Sequence, residues 1–141
     1  GDGPLRADCE TLGKQSAAPL KFVGFMNQSK VVDVYLAGDV LVLPGAETWG
    51  LVVNEAMSCG MPAIVSDRVG CGPDLVEHGA TGWIFPYGDV DALTGLLVAC
   101  VRERASLDTI RSAAAQRVQS RSTDVGVTSM VTALQSTIGR V

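Results

Sequence analysis

The sequence predicts an α/β fold in which helices pack on both faces of a parallel β-sheet. Short apolar runs, such as residues 40–43 and 63–65, alternate with longer segments whose apolar residues recur at helical spacing. The runs are continuously apolar, which is typical of strands buried on both faces of a parallel sheet. With 141 residues, of which 47% are hydrophobic, the chain has the size and composition of one packed domain.

The first quarter of the chain predicts two helices and one strand. Pro4 suits the first turn of a short helix, and Asn27 can cap a second helix that ends near Leu36. Between them, residues 21–23 predict a brief strand that ends at Gly24. The apolar faces expected for the two helices are Leu5, Cys9 and Leu12 in the first and Val32, Tyr35 and Leu36 in the second.

The centre of the chain predicts strands at 40–43, 63–65 and 83–85. Thr48 is expected to cap a helix that starts near Trp49, and Gly60 and Pro62 are expected to end it. Pro73 predicts the start of a short helix that ends near Gly79. The buried stripe expected for the helix after Thr48 consists of Leu51, Val52, Ala56 and Met57.

The last third of the chain predicts three helices. Asp89 can cap a helix that runs to about residue 104, and Ser106 can cap one that runs to about residue 119. A final helix is predicted from about residue 124 to 138. The inward residues expected are Leu93, Leu97, Cys100 and Val101 in the first helix and Val127, Val131, Leu134 and Ile138 in the last.

The charge and hydropathy of the chain exclude several classes of partner. The net charge is −4 and the pI is about 4.8, whereas proteins that bind nucleic acid carry a concentrated basic face. No apolar stretch has the roughly 18 residues that a membrane span requires. We therefore expect no nucleic-acid partner and no membrane span, while the reduced state expected for the cysteines indicates a cytoplasmic protein. A peripheral position at the inner membrane face stays open for the full-length protein.

The cysteines and the single histidine predict neither a metal site nor a nucleophile. Cys9, Cys59, Cys71 and Cys100 form no C-x-x-C pair, so we expect four reduced residues of the core and the loops. His78 lies in a predicted turn without a nucleophile pattern around it. We expect a solvated loop residue rather than a catalytic base.

The segment from Glu47 to Glu55 contains the clearest functional signal. Between the two carboxylates, a Gly-containing turn leads from an apolar strand into an apolar helix. The amides of Gly50, Leu51 and Val52 would point out of the helix start, where free N–H groups and the macrodipole attract an anion. A diphosphate bound there would leave one carboxylate for a polyhydroxyl group on each side. The segment therefore indicates a nucleotide-sugar site.

The same segment resembles the E-x7-E signature of the retaining, GT-B-fold glycosyltransferases of family 4, also called group 1. Four further segments match that family in the same order, namely residues 56–67, 69–76, 81–85 and 88–93. The likeness covers about residues 1–100. The resemblance implies a Rossmann-like, donor-binding C-terminal domain over residues 1–122, followed by a C-terminal helix over 123–141.

The resemblance also implies roles for individual residues. Glu47 would be the catalytic residue and would bind hydroxyls of the donor sugar, while Glu55 would bind the ribose hydroxyl pair. Residues 48–52, from Thr48 to Val52, would line the diphosphate, with Trp49 either a ligand platform or a core residue. The residues similar to those that hold the base are Gly24, Phe25 and Lys30. The family is usually metal-independent, so the resemblance implies a nucleoside-diphosphate sugar as donor and no cofactor.

The resemblance further implies an incomplete domain. In the family, the turn that residues 1–4 resemble follows two strands and a loop with an Arg and a Lys. We therefore expect the chain to lack those strands, those cations and the acceptor-binding N-terminal half, its partner in the same enzyme. The isolated chain would be inactive, and strand 40–43 would have a bare edge. The acceptor is not predicted. A nucleotide-sugar-binding module without turnover, or another GT-B relative, is the alternative.

Overall fold

The computed structural model describes residues 2–16 and 19–138, except for the side chains of residues 123, 137 and 138. The chain divides into two compact units, Gly1–Val34 and Tyr35–Val141. The division predicted after residue 122 stays a prediction. Gly1, and the Ile138 side chain expected on the stripe of the last helix, lie outside the described residues.

The first unit contains helix α1 (Arg6–Gln15) and the first part of helix α2 (Gln28–Ala37). The cap predicted for α2 is confirmed, because the Lys30 amide donates to Oδ1 of Asn27 (3.2 Å). The strand predicted at 21–23 is wrong. A strand needs a hydrogen-bonded neighbour, and no described residue pairs with this run.

The second unit contains a parallel three-stranded sheet, as predicted. Strands β1 (Leu41–Leu43), β2 (Ala63–Ser66) and β3 (Gly82–Phe85) lie side by side in that order. All four residues of the central strand are buried. Within the described part of the chain, β1 pairs only with β2, so β1 is an edge strand, as expected.

Helices cover both faces of this sheet. On one face, Val53 and Met57 of helix α3 (Leu51–Ser58) pack in a cluster with Val65 of β2 and Ala114 of helix α6 (Leu107–Gln119). On the other face, Ile64 packs with residues of helix α5 (Val90–Arg102). The remaining helical bounds are Gly72–Leu75 for α4, Arg104–Ser106 for a 3-10 turn and Thr123–Ile138 for α7.

The helical stripes were predicted with partial success. In α3, Ala56 and Met57 are buried as expected, but Leu51 is 69% exposed and Val53 is fully buried in its place. Tyr35 is the buried residue of α2. The predicted stripe residues that the structure leaves exposed are Leu5, Cys9, Leu12, Val32, Leu36, Leu97, Val101, Val127, Val131 and Leu134. Spacing identifies an apolar face, whereas burial also requires a neighbouring element on that face.

Some of the predicted helix ends form as expected, and others differ from the prediction. Asp89 caps α5 as expected, because its Oδ1 accepts from the Ala92 amide (2.8 Å). Ser106 precedes α6 without capping it, since its hydroxyl donates to the Glu103 carbonyl (2.7 Å). Helix α4 ends at Leu75, earlier than expected.

A buried hydroxyl accounts for the early end of α4. Thr81 Oγ1 donates to the Leu75 carbonyl and accepts from the Glu77 amide, both at 2.9 Å. The Leu75 carbonyl and the Glu77 amide are therefore bound by a side chain instead of by a further helical turn.

Gly82 offers a test of the close packing between β3 and β2. A Cβ on Gly82 would lie 2.2 Å from the Ala63 carbonyl oxygen, so Gly82→Ala should lower the free energy of unfolding by about 1–3 kcal/mol. Gly95 lies within α5 with open space around it, so Gly95→Ala should instead raise that free energy by up to about 1 kcal/mol. Urea denaturation measures both. Equal stability of the Gly82 variant and the wild type would contradict this packing.

Candidate functional site

The turn after β1 is held by the loop after β2. The Glu47 amide donates to the Arg68 carbonyl (3.2 Å), and the Glu47 carbonyl accepts from the Gly70 amide (2.9 Å). Two residues later, the Trp49 carbonyl accepts from the Cys71 amide (2.8 Å). These bonds extend the pairing of β1 and β2 beyond the carboxyl ends of both strands. The backbone of the turn is therefore fixed from Glu47 to Trp49.

Gly70 allows the two segments to approach this closely. A Cβ at this position would lie 1.9 Å from the Thr48 carbonyl oxygen, a distance that no side chain tolerates. At the start of the turn, the Ser66 hydroxyl donates to the Gly45 carbonyl (2.6 Å). Backbone and side-chain bonds from the β2 end thus hold both ends of the turn.

Helix α3 begins at Leu51, later than the sequence predicts, and Thr48 is not its cap. Gly50 precedes the helix with φ 97° and ψ 60°, and no side chain caps it. The backbone of residues 47–49 is already bonded to the loop after β2, so it cannot turn into a helix. The chain changes direction at the next residue, where a left-handed backbone favours glycine.

The start of α3 presents backbone donors that lack protein acceptors. The first bond of the helix runs from the Val53 amide to the Gly50 carbonyl (2.9 Å). Among the described residues, none accepts a hydrogen bond from the amides of Leu51 and Val52. Of the three residues predicted to present these amides, Gly50 is buried, Val52 is half-buried and Leu51 is exposed. The Leu51 side chain extends into solvent and does not seal the helix start.

Two exposed carboxylates lie in this part of the unit. Glu47 belongs to the fixed turn, and Glu55 lies one helical turn beyond Leu51, about 6 Å along the α3 axis. The Tyr35 hydroxyl donates to Oε2 of Glu55 (2.9 Å). Burial, together with the hydrogen bond to Glu55 and its charge, raises the pKa of Tyr35 to about 12.

Trp49 was predicted to be either a platform for the ligand or a core residue. Its Nε1 donates to Oδ1 of Asn54 (2.9 Å), and its ring is 40% exposed. The ring lines a cavity of about 290 Å³ that also contains the ion pair of Arg121 and Asp74 (3.0 Å). Trp49 is therefore not a core residue, and its role toward a ligand stays a prediction.

The residues predicted to hold the base lie in the first unit. The Phe25 amide donates to Oδ2 of Asp2 (2.9 Å), so the N-terminal turn and the loop around residue 25 meet. Gly24 has φ 70°, and the Phe25 ring is 80% exposed. Arg6 pairs with Asp2 and, together with the Phe25 amide, holds the pKa of that carboxyl below its usual value. Lys30 is exposed on α2.

Two residues that shape the site were not identified from the sequence. From the sequence, Tyr35 was assigned only to the apolar face of α2, although a buried tyrosine hydroxyl usually requires a polar partner. That partner, Glu55, lies 20 residues away and becomes apparent only in the folded chain. Gly70 lies shortly after β2, and a glycine near a strand indicates that another backbone segment comes close. The spacing of residues along the sequence does not show that this segment is the turn at Thr48.

The Cys71 thiol donates to the Gly50 carbonyl (3.7 Å) directly before α3. All four cysteines are free, as predicted, and burial raises the pKa values of the Cys71 and Cys100 thiols. His78 is an exposed loop residue whose Nδ1 accepts from the Ile84 amide (3.3 Å). Within residues 2–16 and 19–138, no three His, Cys, Asp or Glu side chains are grouped as metal ligands. None of the described helices is both long and apolar enough to span a membrane.

Comparison with known proteins relates this arrangement to a family. Sulfoquinovosyl transferase SQD2 from Arabidopsis thaliana is 37% identical over 123 residues, which cover 84% of this chain and 24% of that protein. The chain thus spans about a quarter of the length of this curated relative.

Solved structures share the fold. Sucrose-phosphate synthase from Thermosynechococcus elongatus matches with a TM-score of 0.79 and 26% identity, over 100% of this chain and 36% of that one. HepE from Anabaena, solved in complex with UDP-glucose, matches with a TM-score of 0.72 and 25% identity, over 94% of this chain and 38% of that one.

A family model gives the assignment directly. The model described as "Glycosyl transferases group 1" matches residues 1–117, which include the turn, the start of α3 and both carboxylates. The chain therefore belongs to the glycosyl transferases group 1 family.

Proposed function

We propose that this chain binds a nucleoside-diphosphate sugar, and that the protein containing it transfers the hexosyl unit to an acceptor hydroxyl with retention at the anomeric carbon. The observation that carries the proposal is the start of α3. Along the chain, two amides without acceptors among the described residues, those of Leu51 and Val52, lie between two exposed carboxylates, Glu47 and Glu55. The ligand has the complementary order: a sugar, a diphosphate and a ribose.

The diphosphate is the part of the donor that α3 would bind. The amides of Leu51 and Val52 can donate to phosphate oxygens, and the helix dipole favours negative charge at this end. The fixed backbone of residues 47–49 means that these donors are already oriented before the ligand arrives. Preorganised donors of this kind stabilise the negative charge that develops on a departing diphosphate.

The two carboxylates would bind the hydroxyl groups on either side. Glu47 lies on the strand side of the helix start and would accept hydrogen bonds from the sugar. Glu55 lies one turn along α3 and would accept from the ribose hydroxyl pair. Hydrogen bonds to a charged acceptor contribute about 1.5–3 kcal/mol each, which is enough to orient a sugar. For the base, the resemblance names Gly24, Phe25 and Lys30 of the first unit, and this assignment stays a prediction.

In the transfer step, the bond between the anomeric carbon and the diphosphate oxygen breaks and a bond to the acceptor oxygen forms. The acceptor proton passes to the departing diphosphate. The residues of this chain would stabilise the diphosphate and orient the sugar during this exchange. Family 4 membership, retention and a cytoplasmic site of action belong to the same proposal.

Relatives named for related activities support the proposal. HepE from Anabaena was solved with UDP-glucose and with UDP and glucose, and the curated relatives include GDP-mannose-dependent mannosyltransferases. These donors differ in base and sugar but share a nucleoside diphosphate. That shared chemistry is what the amides and carboxylates around α3 are suited to bind.

The ribose role of Glu55 can be tested by ligand affinity. In the complete gene product that contains this chain, Glu55→Ala should weaken binding of the preferred ligand among UDP, GDP and ADP by about 10- to 100-fold, because a charge-assisted hydrogen bond is lost. Calorimetric titration measures the affinity. Glu103→Ala removes an exposed carboxylate at the end of α5 and should leave the affinity unchanged. Unchanged affinity in the Glu55 variant would remove this residue from the ribose role.

Glu47 should affect turnover rather than nucleotide affinity. Glu47→Gln should lower the transfer rate by about 10- to 100-fold, because a strong acceptor for the sugar hydroxyls is weakened. Affinity for the nucleoside diphosphate without sugar should stay at the wild-type value, since Glu47 would contact only the sugar. Loss of that affinity instead would place Glu47 at the diphosphate. Donor binding without any transfer in the wild type would support a binding module instead of an enzyme.

Transfer should not require a divalent metal ion. Backbone amides, with cations from elsewhere in the complete protein, would take the place of magnesium at the diphosphate. Activity measured after removal of metal ions with EDTA should therefore equal the untreated activity. Activity that is lost with EDTA and restored by Mg²⁺ would show that the amides do not suffice.

A further inference from the structure

We propose that Tyr35 is a positioning residue for the nucleoside part of the donor and that it acts by orienting the carboxylate of Glu55. The inference rests on the proposed function of Glu55. Its basis is one hydrogen bond, from the Tyr35 hydroxyl to Oε2 of Glu55 at 2.9 Å. The two residues come from different helices, α2 and α3, of the same compact unit.

The donor side of this bond is fixed by packing. Tyr35 is only 6% exposed, so its ring has little freedom to rotate, and the hydroxyl is presented at one position. A tyrosine hydroxyl keeps its proton across the neutral range, and burial, together with the hydrogen bond to Glu55 and its charge, raises the pKa of Tyr35 further, to about 12. The hydroxyl is therefore a constant donor toward the carboxylate whenever ligand is present.

The acceptor side would otherwise be free to move. Glu55 is exposed on the surface of α3, and a glutamate in solvent samples several rotamers. The Tyr35 bond engages Oε2 and leaves Oε1, with further capacity on Oε2, for a ligand. A carboxylate held in this way can meet a pair of ribose hydroxyls without first losing side-chain entropy, which is how preorganisation increases affinity.

A purely structural role for Tyr35 makes a different prediction. If the hydroxyl only satisfied a buried polar group, its removal would change stability and would affect all ligands equally. A positioning role instead limits the loss to ligands that have ribose hydroxyls for Glu55 to bind. The two roles can therefore be separated by changing the ligand as well as the residue.

The test compares Tyr35→Phe with the wild type in the complete gene product. The probes are the nucleoside diphosphate that the wild type prefers among UDP, GDP and ADP, and the 2′,3′-dideoxy form of the same compound. Tyr35→Phe should weaken binding of the first by about three- to tenfold and leave binding of the second unchanged. Tyr87→Phe alters the exposed second tyrosine of the chain and should change neither affinity.

A double-mutant cycle connects the effect to Glu55. In a Glu55→Ala background, Tyr35→Phe should cause no additional loss of affinity, because the residue that it orients is absent. If Glu55→Ala weakens binding and Tyr35→Phe does not, the inference about Tyr35 is wrong while the proposed ribose role of Glu55 stands. If neither change matters, both are wrong. An equal loss for the ribose and dideoxy ligands would also overturn the positioning role.

A second measurement keeps the test decisive if Tyr35→Phe lowers the melting temperature substantially. Both affinities are then measured at a temperature at which circular dichroism shows the variant to be folded. The loss should still be confined to the ribose ligand. Equal affinities of the folded variant and the wild type for the ribose ligand would contradict the inference.

Discussion

The structure around the candidate site depends on the contact between the turn after β1 and the loop after β2. Gly70 lies directly against the Thr48 carbonyl, where a Cβ would come within 1.9 Å of the oxygen. Hydrogen bonds on both sides of this contact extend the parallel pairing past the ends of the strands. The carboxyl edge of the sheet therefore continues as an ordered backbone up to the first residue of α3.

This contact determines which backbone groups are available to a ligand. The amide and carbonyl of Glu47 and the carbonyl of Trp49 are bonded within the protein, so they do not serve as binding groups. The chain enters the helix after Gly50, and the amides of Leu51 and Val52 in its first turn have no acceptor among the described residues. A closely packed turn thus produces an exposed set of oriented donors at the helix start.

Helix α3 combines this proposed binding end with a role in the core. Val53 and Met57 are fully buried against the sheet, whereas Leu51 and Glu55 face solvent. The buried side anchors the helix, so the position of its N-terminus is set by packing. Because Tyr35 of α2 contacts Glu55 from a buried position, the exposed side of the helix is also tied to the protein interior.

Much of the fold and part of the site could be predicted from local sequence. The three strands, the Asn27 and Asp89 caps and the end of α3 shortly before Gly60 follow from apolar runs and from the backbone preferences of single residues. The run at 21–23 was predicted to be a strand and is not one. The run has residue types that favour a strand, but no described segment pairs with it, and a strand needs a paired neighbour.

The sequence by itself determined the order of the elements, the parallel sheet and the family, because periodicity, turn residues and motif order are properties of the chain. The tertiary structure decided where α3 begins, which of its first residues are exposed and which residue contacts Glu55. These features arise from contacts between segments about 20 residues apart, such as Thr48 with Gly70 and Tyr35 with Glu55. Local spacing contains no information about such contacts, since they exist only after the sheet has brought the segments together.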